Sequence, residues 1–322
     1  MPALFRPALA AGLLASAPLL PVAMPATAQT FEADVPGAVF SDERSKQIMA
    51  VQVLLDRAGH SPGVIDGYSG GNTSRALAAF EQANGMKVDG EVDEELLAAL
   101  RSRFGSEPLV KTYSVTSEDV SGSFRPVPSS MAQMATRDWI GYSSPAEKLA
   151  EKFHMTEGLL EALNPGKSFS AGTEILVAQT GSTALEGKVA RIEIDKSASE
   201  VRAYDGDGNL LATFPATVGS SQFPSPSGAM EVNAVAPEAN YTFDPSDQEW
   251  GGDETLIIPP GPNNPIGGVW IDLGKAGYGI HGTSNPSSIA KNASHGCVRL
   301  TNWDARNLAS AVEAGSTKVV FN

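Results

Sequence analysis

The chain has 322 residues, a formal net charge of −14, one cysteine, four histidines and 42% hydrophobic residues. So acidic a surface repels nucleic acid and anionic lipid, and no basic cluster reverses this, so neither is expected as a partner. About 290 residues remain beyond an apparent leader, enough for two or three domains rather than one.

The chain opens "MPALFRPALAAGLLASAPLLPVAMPATAQT". Arg6 supplies a positive start, Pro7 to Leu20 are apolar and uncharged, and Ala26-Thr27-Ala28 is a small-x-small cleavage pattern. Residues 1–28 therefore read as a secretory signal peptide, which predicts a periplasmic mature protein starting near Gln29. A retained span would need roughly 20 strongly apolar residues, whereas this run is Ala-rich and broken by Pro18 and Pro21. Residues 29–43, with Pro36 and Gly37, read as a linker.

From Ser45 the apolar residues Ile48, Val51, Leu54 and Leu55 recur at helical spacing, and Gly59 stops the run. "GHSPGVIDGYSGGNTS" is a turn-rich loop, after which Asn72, Thr73 or Ser74 can cap a second helix carrying Ala76, Leu77, Phe80 and Ala83. "MKVDGEVD" turns again, and "EELLAALR" begins a third helix. Asp66-Gly67 and Asp89-Gly90 each follow a β-branched residue and precede a helix, which makes a pseudo-repeat. Leu54, Gly59, Gly63, Asp66, Gly67, Thr73, Ala76, Phe80, Gln82, Asp89 and Gly90 form a pattern that resembles the three-helix peptidoglycan-binding domain of bacterial wall enzymes. The resemblance implies a small all-α domain over 44–103 and peptidoglycan as a partner.

Next, "KTYSVTSEDV" reads as a strand, "PAEKLAEKFHMTEGLLEALNPG" as two helices and "FSAGTEILVAQ" as a closing strand. Residues 110–180 resemble a LysM module through Tyr113, Val115, Leu149, Phe153, Leu160, Asn164, Pro165 and Ala171-Gly172-Thr173. That implies an α+β module, either glycan-binding or a spacer. A Pro- and Ser-rich insertion, "SGSFRPVPSSMAQMATRDWIGYSS", interrupts its spacing. His60 and His154 fall in these accessory regions; isolated histidines are more often packed or solvated than ligands, and neither is assigned a chemical role.

From Lys188 the pattern becomes that of strands, with Val189, Ile192 and Ile194, then Val201 and Ala203, then Leu210 to Val218. Asp205-Gly206-Asp207-Gly208 marks a hairpin between the last two. Late in this mainly-β region of 187–322 comes "HGTSNPSSIAKNASHGCVR". A single cysteine in an exported protein has no internal disulfide partner and is exposed to oxidation, which favours a chemical role over filler. Cys297 can be a nucleophile with His281 as its base, and backbone amides around His295, Gly296 and Cys297 can face an oxyanion. In an extended segment Arg299 emerges on the same face as Cys297, where it can depress the thiol pKa or grip a carboxylate. Two other readings stand beside this one. His281, His295 and Cys297 could ligate zinc, or Cys297 could simply be packed.

"YGIHGT" followed by "SHGCVRL", with "IPPGPNNPIGGVWIDL" and "FPATVGSSQFPSPSG" upstream, resembles the YkuD-type L,D-transpeptidases. The resemblance implies Cys297 as nucleophile, His281 as general base and the Gly282 carbonyl as its orienting partner. It implies Ser294, His295 and Gly296 as supports of the oxyanion loop, with Tyr278 and Trp270 lining the groove. It needs no metal and no organic cofactor. The implied reaction forms a thioester at the third residue of a peptidoglycan stem, releases D-Ala, and passes the acyl group to an amine. The amine belongs to another stem, giving a 3–3 cross-link, or to a wall-attached lipoprotein or outer-membrane protein; with water the enzyme is an L,D-carboxypeptidase. A papain-like wall hydrolase places its cysteine before its histidine, the reverse of the order here. A non-catalytic wall-binding protein would leave the thiol without a purpose.

Overall fold

The computed structural model describes residues 40, 44–104, 107–181, 184–220, 222–244, 254–294 and 296–322. The signal-peptide assignment, most of the linker and His295 lie outside the described residues. No helix among the described residues is long and apolar enough to cross a membrane.

Helix α1 (Lys46–Arg57) is capped by the Ser45 hydroxyl, which accepts the Ile48 amide. The spacing predicts one apolar face with Ile48 in it, but residues 49–55 are all buried instead and Ile48 is not. The reason is that α1 divides two cores. Val51, Leu54 and Leu55 pack on α2 (Gly71–Ala83) and α3 (Glu94–Phe104), whereas Met49, Ala50 and Val53 pack on the middle region. A helix apolar all round is one surrounded by protein. The buried Gln52 side chain accepts the amides of Asp66 and Gly67 and donates to Asp66, Tyr68 and Thr73. Glu81 repeats the arrangement, accepting the amides of Asp89 and Gly90 at 2.9 Å. The pseudo-repeat is therefore a helix side chain gathering an Asp-Gly turn. The expected side-chain cap of α2 is absent: Gly70 precedes the helix, and Thr73 lies inside it, turned to Gln52.

In the middle region β1 (Val110–Ser114) pairs antiparallel with β2 (Glu174–Ala178), and α5 (Pro145–Lys152) and α6 (Glu157–Leu163) lie between them in sequence. Asn164 ties the end of α6 to β2, donating to the carbonyls of Leu160 and Leu176 and accepting the Leu176 amide. A short helix α4 (Met131–Ala135) sits in the insertion.

The C-terminal region packs two sheets around one core. The first has the order β5 (Leu210–Pro215), β4 (Glu200–Tyr204), β3 (Arg191–Asp195), β13 (Lys318–Phe321), β6 (Gly228–Glu231). Its β4–β5 hairpin closes as predicted, with Asp205 accepting the amides of Asp207 and Asn209. The second sheet runs β12 (Val298–Arg299), β11 (Gly279–His281), β10 (Trp270–Asp272), β7 (Ala234–Ala236). Ile192, Val201, Phe214 and Val319 of the first sheet share a core with Ile271, Ile280 and Val298 of the second, and α7 (Asn302–Ala311) adds Ala305 and Leu308.

Both accessory histidines are packed at joints between these regions. His60 lies beside the edge strand β5 with its ring 3.1 Å from the Thr213 hydroxyl, while the Ser61 amide donates to the Thr213 carbonyl. His154 contacts Asp56 of α1 at 2.8 Å and stacks on Trp303 of α7, ring centroids 5.1 Å apart.

Candidate active site

The register of the second sheet assembles the site. Trp270 pairs with His281 across β10 and β11, and His281 pairs with Arg299 across β11 and β12. Side chains alternate along a strand. Ile271, Ile280 and Val298 therefore point into the core, and Trp270, His281 and Arg299 share the opposite face, which Cys297 joins one residue before β12. That face opens into a cavity of about 790 Å3, whose walls include Trp270, Tyr278, His281, Cys297 and Arg299. Its apolar side is closed by Phe223, Tyr241, Pro265 and Ile266.

His281 is 4% exposed and its Nδ1 lies 2.7 Å from the Gly282 carbonyl. A carbonyl only accepts, so Nδ1 carries the proton and Nε2 keeps its lone pair. Burial, assisted by the nearby Arg299 charge and opposed by the Gly282 contact, pushes the imidazole down to about 4. Trp270 stacks on the ring with centroids 5.6 Å apart. The indole also lies over Gly279, where a Cβ would come within 2.5 Å of it. Any larger residue there would displace the tryptophan from the histidine.

The Cys297 thiol donates to the Gly277 carbonyl at 3.1 Å. Burial pushes the thiol up, against a backbone hydrogen bond from Gly279 and the Arg299 charge. Arg299 pulls the thiol down, the direction expected of it, but loss of water outweighs that pull. Burial thus favours the neutral form of both the thiol and the imidazole.

Ser294 staples the loop ahead of Cys297: its hydroxyl donates to the Cys297 carbonyl at 2.6 Å and accepts the Gly296 amide at 3.2 Å. The Gly296 amide is thus engaged within the loop. Gly296 has φ +110°, and a Cβ there would meet the Tyr278 ring at 2.9 Å, so glycine permits both the turn and the aromatic contact. The Arg299 Nε is buried with no hydrogen-bond partner among the described residues.

Several supporting residues escape a sequence reading. Ser225 accepts the Gly219 amide and donates to the Gly296 carbonyl, both at 2.8 Å; it lies in the "FPATVGSSQFPSPSG" stretch, with no role assigned to it there. Asn302 accepts the Thr283 amide at 2.8 Å, lies against Gly282, and donates to Glu151 of α5 at 3.0 Å. Burial pushes the Glu151 carboxyl up, opposed by Arg306, Asn302 and Tyr142. A middle-region carboxyl is thereby two contacts from the peptide that orients His281. Among the described residues no three metal-ligand side chains converge.

A cysteine, a buried histidine and an arginine thus share one sheet face of a mainly-β domain, a nucleophile-and-base set of the kind acyl-transfer enzymes use. Residues 189–321 match the YkuD family, described as the L,D-transpeptidase catalytic domain, and residues 44–100 match a family described as "Putative peptidoglycan binding domain". The chain is 33% identical over 175 residues to the "Putative L,D-transpeptidase YkuD" of Bacillus licheniformis, covering 53% of this chain and 89% of that protein. It is 51% identical over 61 residues to the Bacillus subtilis protein of that name, covering 19% of this chain and 37% of the relative. The match to the "Probable L,D-transpeptidase YbiS" of Escherichia coli K12 is 28% over 192 residues, covering 56% of this chain and 61% of the relative. The chain belongs to the YkuD family of L,D-transpeptidases and carries an N-terminal peptidoglycan-binding domain.

Proposed function

We propose that the protein is an exported, periplasmic L,D-transpeptidase acting on peptidoglycan tetrapeptide stems through a Cys297 thioester. The reading rests on one observation above all, the shared sheet face that brings Trp270, His281, Cys297 and Arg299 to one cavity. Cys297 Sγ attacks the carbonyl that joins the third stem residue to terminal D-Ala, and its proton passes to His281 Nε2. The C–N bond breaks, His281 returns the proton to the departing amine of D-Ala, and a thioester remains. An acceptor amine then displaces Cys297, giving a 3–3 cross-link or a wall-anchored protein.

A base held near 4 is free at neutral pH, so it accepts the thiol proton as the S–C bond forms rather than beforehand. The Cys297 amide faces the developing oxyanion. Arg299, with its unpartnered buried Nε, suits a stem carboxylate. Ser294, Gly296 and Gly282 hold the loop and the base. The β-α-α-β order and the Asn164 tie support a LysM-like middle module, and the N-terminal domain raises the local concentration of the polymer.

The test is incubation of purified protein with a tetrapeptide-stem muropeptide, read by mass spectrometry. Dimer with loss of D-Ala is expected, and Cys297→Ala should form none while still binding the wall. Turnover by that variant would refute the assignment; tripeptide alone would mean that water is the acceptor.

A further inference from the structure

The insertion that interrupts the middle module builds a second cavity, of about 580 Å3, outside the site described above. Its walls hold three cationic side chains, Arg125, Arg137 and Lys148, beside Trp139 and Phe124, with Asp138 as the single carboxylate. None of the three cations forms an ion pair among the described residues; Arg137 and Lys148 reach only backbone carbonyls, of Pro126 and Glu118. On a chain of net charge −14, three cations against one carboxylate make this cavity locally positive. Trp139 is 47% exposed, one of the few large apolar side chains among the described residues left so open to water.

The cavity is fixed to the catalytic domain. The fully buried Ile140 donates its amide to the Pro260 carbonyl at 3.0 Å and accepts the Asn263 amide at 3.1 Å. The Asn263 side chain reaches Gly141 and Glu147 in turn. Pro262 lines this cavity, while Pro265 and Ile266 line the one that holds Cys297. Three residues span at most about 11 Å, so one short segment walls both cavities.

We infer that this groove is a secondary subsite for a carboxylate-bearing glycan, taking a neighbouring peptide-bearing sugar of the polymer whose stem enters the catalytic cavity. The exposed indole offers a flat face on which a sugar ring packs, and the guanidinium groups match carboxylates two oxygens at a time. A soluble fragment occupies the catalytic cavity alone, whereas a polymer occupies both, and linkage strengthens the second contact through effective concentration. The inference rests on the wall-polymer reading of the function, but it is tested by binding, without turnover.

The experiment is co-sedimentation of the full chain with insoluble peptidoglycan, for the wild type, Trp139→Ala and the double variant Arg125→Ala/Arg137→Ala. A parallel arm uses the same polymer with its carboxyls amidated. Melting curves are recorded for each protein, and the charge-preserving Arg125→Lys/Arg137→Lys variant separates loss of charge from loss of fold. At least a fivefold weaker association is expected for Trp139→Ala and for the double alanine variant at unchanged melting temperature. A similar loss is expected for wild type on amidated polymer, and the lysine variant should recover part of the binding. Wild-type binding by the alanine variants, or equal wild-type binding to native and amidated polymer, would overturn the subsite. Failure of the catalytic reading would appear elsewhere, as absence of D-Ala release in the muropeptide assay.

Discussion

His281 and His154 are both buried, and each lies flat against a tryptophan, Trp270 in one case and Trp303 in the other. They are shifted in opposite directions. His281 faces a backbone carbonyl and a nearby Arg299, and falls to about 4. Burial also works against charge on His154, but Asp56 in contact and Asp304 and Glu151 close by outweigh it and push that imidazole up. Burial sets the size of what is at stake, and the charges on neighbouring elements decide its sign. One imidazole is pushed towards its neutral form at a cavity, and the other is pulled towards its charged form beside Asp56, between regions of the chain.

The largest test of this contrast is His281→Gln, expected to lower turnover of the tetrapeptide muropeptide by roughly 10²–10⁴-fold with little change in melting temperature. A variant that unfolds instead would make His281 the structural residue of the pair. His154→Gln should do the converse, costing about 1–3 kcal/mol of stability by removing the imidazole partner of buried Asp56, whose carboxylate keeps the Gly181 amide, with turnover of the folded protein retained. Because His154 is raised above its ordinary 6.5, its contribution is full below that value and fades as pH climbs through the folded one. The stability difference between wild type and variant should therefore be wider at acid pH than at alkaline pH in denaturant titrations. Glu151→Ala sharpens the boundary between the two regions. It loosens Asn302 beneath Gly282 and should lower kcat roughly tenfold with KM little changed, as a small misplacement of a catalytic group does. The smallest effect belongs to Arg299→Gln as seen in the free enzyme's iodoacetamide alkylation profile. Removing that charge should move the thiol further up and lift His281 from about 4, since Arg299 lowers both. A thiol already reactive at neutral pH in the wild type would contradict the upward shift of the thiol.

The two segments that line the candidate site were readable because their pattern is local in sequence. "SHGCVRL" and "YGIHGT" each fit on one strand and its turn, and alternation then sets their faces. The hairpin at Asp205 and the helices of the first domain announced themselves through turn residues and apolar spacing. Contacts between residues far apart in the chain were not readable. Asn302 and Glu151 are 151 positions apart, and nothing in either neighbourhood signals the other. The two-sided burial of α1 failed for the same reason, since periodicity reports an apolar face only when one side meets water. Arg299's influence on the thiol was readable in sign, whereas the opposing cost of dehydrating a thiolate has no signature in sequence.

The position of α1 has a practical consequence for anyone dividing this chain. A helix that furnishes the centre of two cores cannot be assigned to either fragment: an N-terminal piece ending near residue 104 would carry Met49, Ala50 and Val53 into solvent, and a piece starting near 110 would lack them. Recombinant halves and hybrid proteins cut at those seams should be sticky and poorly folded, whereas transplanting the whole span from Phe40 to Asn322 keeps the packed contacts of Phe40 and Arg44 as well.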